Sequence, residues 1–98
     1  MWEAVNGGLT IGQCGSEGGR IICDEEYNGA CCITLEECPR YYAVTCGVYG
    51  GFMHTAFFDE SSSKQMYEAM KQDLKEFIDR ETSAEDEEMF YDSFTSKY

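Results

Sequence analysis

RIICDEEYNGACCITLEEC, residues Arg20–Cys38, holds two strand-like runs around Asn28-Gly29. Asn-Gly is the strongest short hairpin signal, because a type I′ turn needs positive φ at both central positions. Before the turn, Arg20 to Tyr27 carries Ile21, Ile22 and Cys23. After it, Cys31, Ile33 and Leu35 alternate with Cys32, Thr34 and Glu36, the period of two of a half-buried strand. The stretch predicts two antiparallel strands, 20–27 and 30–38.

Working outward, Leu9 to Cys14 is a short candidate strand interrupted by Gly12, and residues 15–19 (GSEGG) read as a turn. Downstream, Pro39 breaks the chain, and Tyr41 to Tyr49 sets Tyr42, Val44, Cys46 and Val48 on one face. Gly50-Gly51 then suggests a second two-residue hairpin into Phe52 to Phe58. The loops are too short for crossovers, so the strands form an antiparallel meander of four or five. With a two-residue loop, Ala43, Thr45 and Tyr49 share a face with Phe52, His54, Ala56 and Phe58. That face is too apolar to stand bare on a monomer. The pattern predicts that either a short C-terminal helix or a second subunit covers it. In the second case Phe52, His54 and Phe58 form a self-association surface of a homodimer.

Composition changes near Asp59. Residues 1–58 hold all ten glycines and all six cysteines; residues 59–98 hold neither, and no proline. Met66, Met70, Leu74, Phe77 and Ile78 make one apolar stripe, predicting a helix to about Arg80, with Ser62 as its cap. Thr82-Ser83 can cap a shorter helix carrying Phe90, Phe94 and Tyr98, with Glu85, Asp86, Glu87 and Glu88 in its first turn. The expected fold is α+β: an antiparallel four- to five-stranded meander (1–58) with one long and one short helix (59–98) packed on it, in a single domain spanning 1–98.

The chain has 98 residues, 43% of them hydrophobic and 14% aromatic, which argues for a packed core rather than disorder. No apolar run approaches the roughly 20 residues of a membrane span. The start, Met1 to Gly8, has neither the basic nor the apolar region of a secretory signal, so a cytoplasmic location is expected. Seven bases against 19 acids give a net charge of −12, which disfavours direct binding to nucleic acid or an anionic membrane. The same charge suits a basic protein partner, and Glu85, Asp86, Glu87 and Glu88 are the densest acidic run to meet one.

Chemistry-bearing patterns are weak. Ser61 and Lys64 match Ser-x-x-Lys, but the companion motifs of serine enzymes that use it are missing. His54 is the only histidine, and the expected register puts it on the other sheet face from Cys46, against a Cys–His couple. The glycines of 7–19 lack the following helix and lysine of a phosphate loop. Cysteines 14, 23, 31, 32, 38 and 46 contain no Cys-x-x-Cys, and are expected to be reduced and to pack as small apolar residues. Asp24, Glu25 and Glu26 with Glu36 and Glu37 are expected to be solvated carboxylates around the first hairpin, with a weak cation site or a contact for a basic partner as the alternatives.

No catalytic, cofactor-binding or metal-binding residue is assigned. In general character, small, acidic and α+β, the chain is similar to many bacterial immunity or anti-nuclease proteins, a likeness of composition that maps no residue. The expected function is a non-enzymatic protein-interaction module. The alternatives are a small-ligand binder, with a pocket between sheet and helix lined by Met66, Met70, Phe52 and Phe57, and a thiol or metal protein.

Overall fold

The computed structural model describes residues 1–80 and 83–98. Five strands, β1 (Trp2–Ala4), β2 (Arg20–Tyr27), β3 (Cys31–Glu37), β4 (Tyr42–Val48) and β5 (Phe52–Phe58), form one antiparallel sheet in sequential order. Two helices follow, α1 (Glu60–Asp79) and α2 (Ala84–Lys97). The α+β meander with one long and one short C-terminal helix is therefore the architecture of the chain.

The first hairpin forms as its sequence dictates. Asn28 and Gly29 both take positive φ, 52° and 64°, and the Ala30 amide closes the turn on the Tyr27 carbonyl at 2.9 Å. The Leu9–Cys14 segment is not a strand. It is a run of turns in which Gly12 takes φ 87°, and it meets the sheet through one isolated bridge, Cys14 to Arg20. The first strand lies earlier, where Trp2 pairs with Tyr27.

The second hairpin corrects the expected register. Val48, not Tyr49, pairs with Phe52, so the connection is three residues, Tyr49-Gly50-Gly51. A slip of one residue sends every side chain of a strand to the opposite face. Phe52, His54, Ala56 and Phe58 therefore stand beside Val48, Cys46, Val44 and Tyr42, on the helix side.

That side holds the core: Tyr27, Cys31, Ile33, Leu35, Val44, Cys46 and Ala56 from the sheet, with Tyr67, Met70 and Leu74 from α1 and Phe94 from α2. α1 packs over β3, β4 and β5 and reaches β2 through side chains: Tyr67 and Lys71 meet Glu25, and Asp79 meets the Tyr27 hydroxyl at 2.6 Å. Its buried stripe is Ser63, Tyr67, Met70, Leu74 and Phe77, with Met66 and Ile78 only half-buried. Its cap is Asp59 rather than Ser62: the Asp59 carboxylate accepts from the Ser62 amide at 2.9 Å and from the Ser61 and Ser62 hydroxyls. These bonds draw the Asp59 carboxyl below its ordinary value.

α2 returns against β5 and α1. Phe94 is buried there, and Tyr91 stacks on Phe52 with centroids 4.4 Å apart. Ser83 and Asp86 form its reciprocal capping box. Thr82, the other residue expected in this cap, lies outside the described residues.

Candidate interaction surfaces

The expected self-association residues do not form a free surface. Phe52 lies under Tyr91, His54 meets the Phe94 ring edge-on at 6.0 Å, and Phe58 packs against the core. The apolar face was legible, but it belongs to the monomer's own second helix. The pocket expected between sheet and helix does not assemble either. Met70 is fully buried in the core, and Phe57 points to the other face and is 54% exposed.

His54 and Cys46 are register partners on one face, so the separation expected between them does not exist. The His54 Nε2 is buried without a hydrogen-bond partner. Burial pushes the Cys46 thiol up to about 12, with Cys32 and Cys31 adding to the shift, so it supplies no thiolate at neutral pH. All six cysteines are free thiols, and Cys14 is the exposed one.

The five hairpin carboxylates diverge and carry separate loads. Glu25 faces α1, accepting from the Tyr67 hydroxyl at 2.7 Å and the Lys71 ammonium at 2.9 Å. Asp24 takes the Thr34 hydroxyl at 2.9 Å, Glu26 takes the Tyr49 hydroxyl at 2.6 Å, and Glu37 binds Arg20 and Tyr42. Glu36 is not solvated: it is completely buried and accepts from the Glu17 and Gly19 amides at 3.1 and 3.2 Å. It straps the loop before β2 against the sheet. Lys64 of the Ser-x-x-Lys match points away to the Cys23 sulfur at 3.2 Å.

Two open surfaces among the described residues bear on function. The first is the sheet face away from the helices. Its middle row, Asp24, Thr34, Thr45 and Thr55, is polar, and the next row runs Glu26, Cys32, Gly47 and Met53. Gly47 allows the strands to close up here, since a Cβ would stand 2.9 Å from the Phe52 carbonyl oxygen. Beside it lies a shallow depression of about 440 Å³ lined by Cys32, Thr45, Tyr49 and Met53. Met53 is 79% exposed, and Tyr41 packs edge-on to Phe57 at 5.1 Å. Sequence reasoning missed this surface because it followed from the inverted β4–β5 register.

The second is the start of α2. Glu85, Asp86, Glu87 and Glu88 are all exposed, as is Asp92 one turn on. Asp86 is committed to the cap. The salt bridges formed among the described residues join Arg20 to Glu37, Lys71 to Glu25 and Glu68, Lys75 to Asp79, and Lys97 to Asp73. None of them reaches the α2 run.

Compared with protein-family models, curated proteins and solved structures, the chain matches none. Among the described residues no helix is long and apolar enough to cross a membrane.

Proposed function

We propose that the protein is a non-enzymatic interaction module that offers the acidic start of α2 to a basic protein partner. The observation that carries this reading is the distribution of countercharge. Four of the seven bases are spent on acids of the sheet and α1, while Glu85, Glu87 and Glu88 stay exposed with no salt bridge among the described residues. Negative charge on a helix N-terminus also relaxes the helix dipole, so the run stabilises α2 whether or not a partner binds. Its field is nevertheless free to steer a cationic surface, which raises association rates more than it raises affinity.

The test is a pull-down from native lysate at low salt, followed by association kinetics with the captured protein. A basic protein is expected, with an on-rate that falls as salt rises through the screening range. Reversing Glu85, Glu87 and Glu88 to Lys, and leaving the capping Asp86 in place, should slow association. An empty pull-down, or an on-rate indifferent to both salt and charge reversal, overturns the proposal.

A further inference from the structure

We infer that two copies of this chain pair through the outer edge of β5, in antiparallel register about Thr55, and so join two five-stranded sheets into one. The inference is independent of the acidic α2 surface and rests on the two sheet edges. β1 is a guarded edge: three residues long, with the exposed Glu3 at its centre. β5 is seven residues long, FMHTAFF, with no Asp, Glu, Lys, Arg or Pro. Among the described residues β4 is the only strand paired with it. Natural edge strands are normally kept apart by charge, proline, a bulge or shortness, and β5 has none of these devices along its length.

The β5 sequence is complementary to itself when reversed. A two-fold axis through Thr55 sets Met53 against Phe57 of the partner subunit, Thr55 against its own copy, and Phe57 against the partner's Met53. All three pairs fall on the open sheet face. Met53 and Phe57, at 79% and 54% exposure, are the large apolar side chains that the monomer leaves in water on this strand. A thioether against an aromatic ring is a favourable cross-strand pair. On the helix side the same axis sets His54 against the partner's Ala56 and Phe52 against the partner's Phe58. A two-fold arrangement of this kind uses one patch twice and closes at the dimer.

Charge selects a second copy as the occupant. A basic partner would find no carboxylate on β5, whereas for two chains of −12 an uncharged strand is where direct contact sets no carboxylate against another. Pairing brings both α2 helices to the same side of the joined sheet, so the acidic helices oppose the contact that the strands favour. The dimer therefore strengthens as salt screens that repulsion, opposite in sign to binding of a basic protein.

Sedimentation velocity on the full chain, over a concentration series at low and high salt, tests this. A monomer–dimer equilibrium that shifts toward dimer with salt is expected. Met53→Lys should weaken dimerisation about tenfold or more, because the change is made twice in a symmetric contact. The double variant Met53→Lys/Phe57→Glu should restore it, since each new ammonium then meets the partner's new carboxylate. Circular dichroism of both variants confirms folding, which the exposure of Met53 favours. If Met53→Lys alone lowers folding, Met53→Glu with Phe57→Lys gives the same pairing with the charges exchanged. A monomer at every concentration, species larger than a dimer, a dimer indifferent to Met53→Lys, or a folded double variant that stays monomeric each overturns the inference.

Discussion

Gly15 and Glu36 compete for one space: a Cβ on Gly15 would stand 2.3 Å from the Glu36 carboxyl carbon and Oε1. The bare glycine lets the buried carboxylate lie under the loop and receive the Glu17 and Gly19 amides. With Glu36 in place, Ile21 and Ala43 of the same sheet row are buried as well.

This arrangement predicts coupled mutational effects. Gly15→Ala overpacks the site and should cost about 1–3 kcal/mol. Glu36→Ala leaves two amides without their acceptor and should cost roughly 3 kcal/mol. The double variant should lose clearly less than the sum, because Glu36→Ala vacates the space that the new methyl needs. Urea unfolding of the three variants measures the coupling, and strict additivity would mean that the two residues do not share a space.

The α1 stripe predicts a second contrast. Leu74→Ala and Phe77→Ala should each cost about 2–5 kcal/mol, since Leu74 is buried in the helix–sheet core and Phe77 is buried against Phe90 and Tyr91 of α2. Gln72→Ala and Glu76→Ala, on the exposed face, should stay within about 0.5 kcal/mol. Denaturant midpoints at constant slope distinguish the two sets, and similar losses at all four positions would contradict the packing.

Acid stability should depend on Glu25. Burial raises its carboxyl, but the Tyr67 hydroxyl and the hydrogen bond and charge of Lys71 outweigh that and hold it below 4.5. A folded-state value below the unfolded one gives stability that is complete above the unfolded value and is lost as pH falls through the folded one. Tyr67→Phe and Lys71→Met each remove a lowering contact. Acid unfolding followed by circular dichroism should therefore begin at higher pH in both variants. An acid transition that neither variant moves would place the acid sensitivity on other carboxylates.

The thiols should separate by exposure. Burial pushes Cys31 up to about 11 and Cys46 up to about 12, so neither is nucleophilic near neutral pH. Cys14 is exposed and should react first with a disulfide reagent in the native protein. Denaturation without reductant should then release all six. A native protein whose buried thiols react as fast as Cys14 would indicate frequent opening of the core.

Local chemistry made much of the architecture legible. Asn28-Gly29 needs no tertiary help to choose its turn, and the alternation from Cys31 to Leu35 survives in the buried and half-buried pattern of β3, breaking only at the buried Glu36. The acidic start of α2 was equally plain, because capping and dipole effects act within one turn. Tyr67 was missed although the 63-67-70-74-77 stripe was present in the sequence. A tyrosine is half polar, and only the half-buried Glu25 of the sheet gives its hydroxyl a partner.

Sequence alone determined the Asn28-Gly29 turn, the four strands from Arg20 to Phe58, the two helices, and that the second half must lay an apolar stripe on the first. These follow from periodicity, turn residues and caps, whose forces reach a few residues. Sequence placed a strand at Leu9–Cys14 where there are turns, and did not show the one at Trp2–Ala4. Only the tertiary structure decided which face of β5 looks inward, where Glu36 lies, and which apolar residues remain in water. The side-chain period of a strand is two, so one extra residue in the Tyr49-Gly50-Gly51 connection exchanges its faces. That exchange put Phe52 and His54 under α2 and left Met53 and Phe57 on the open side. Nothing local distinguishes a loop of two residues from one of three; the choice falls to the packing of Phe94 and Tyr91, from a helix more than thirty residues away, against the strand.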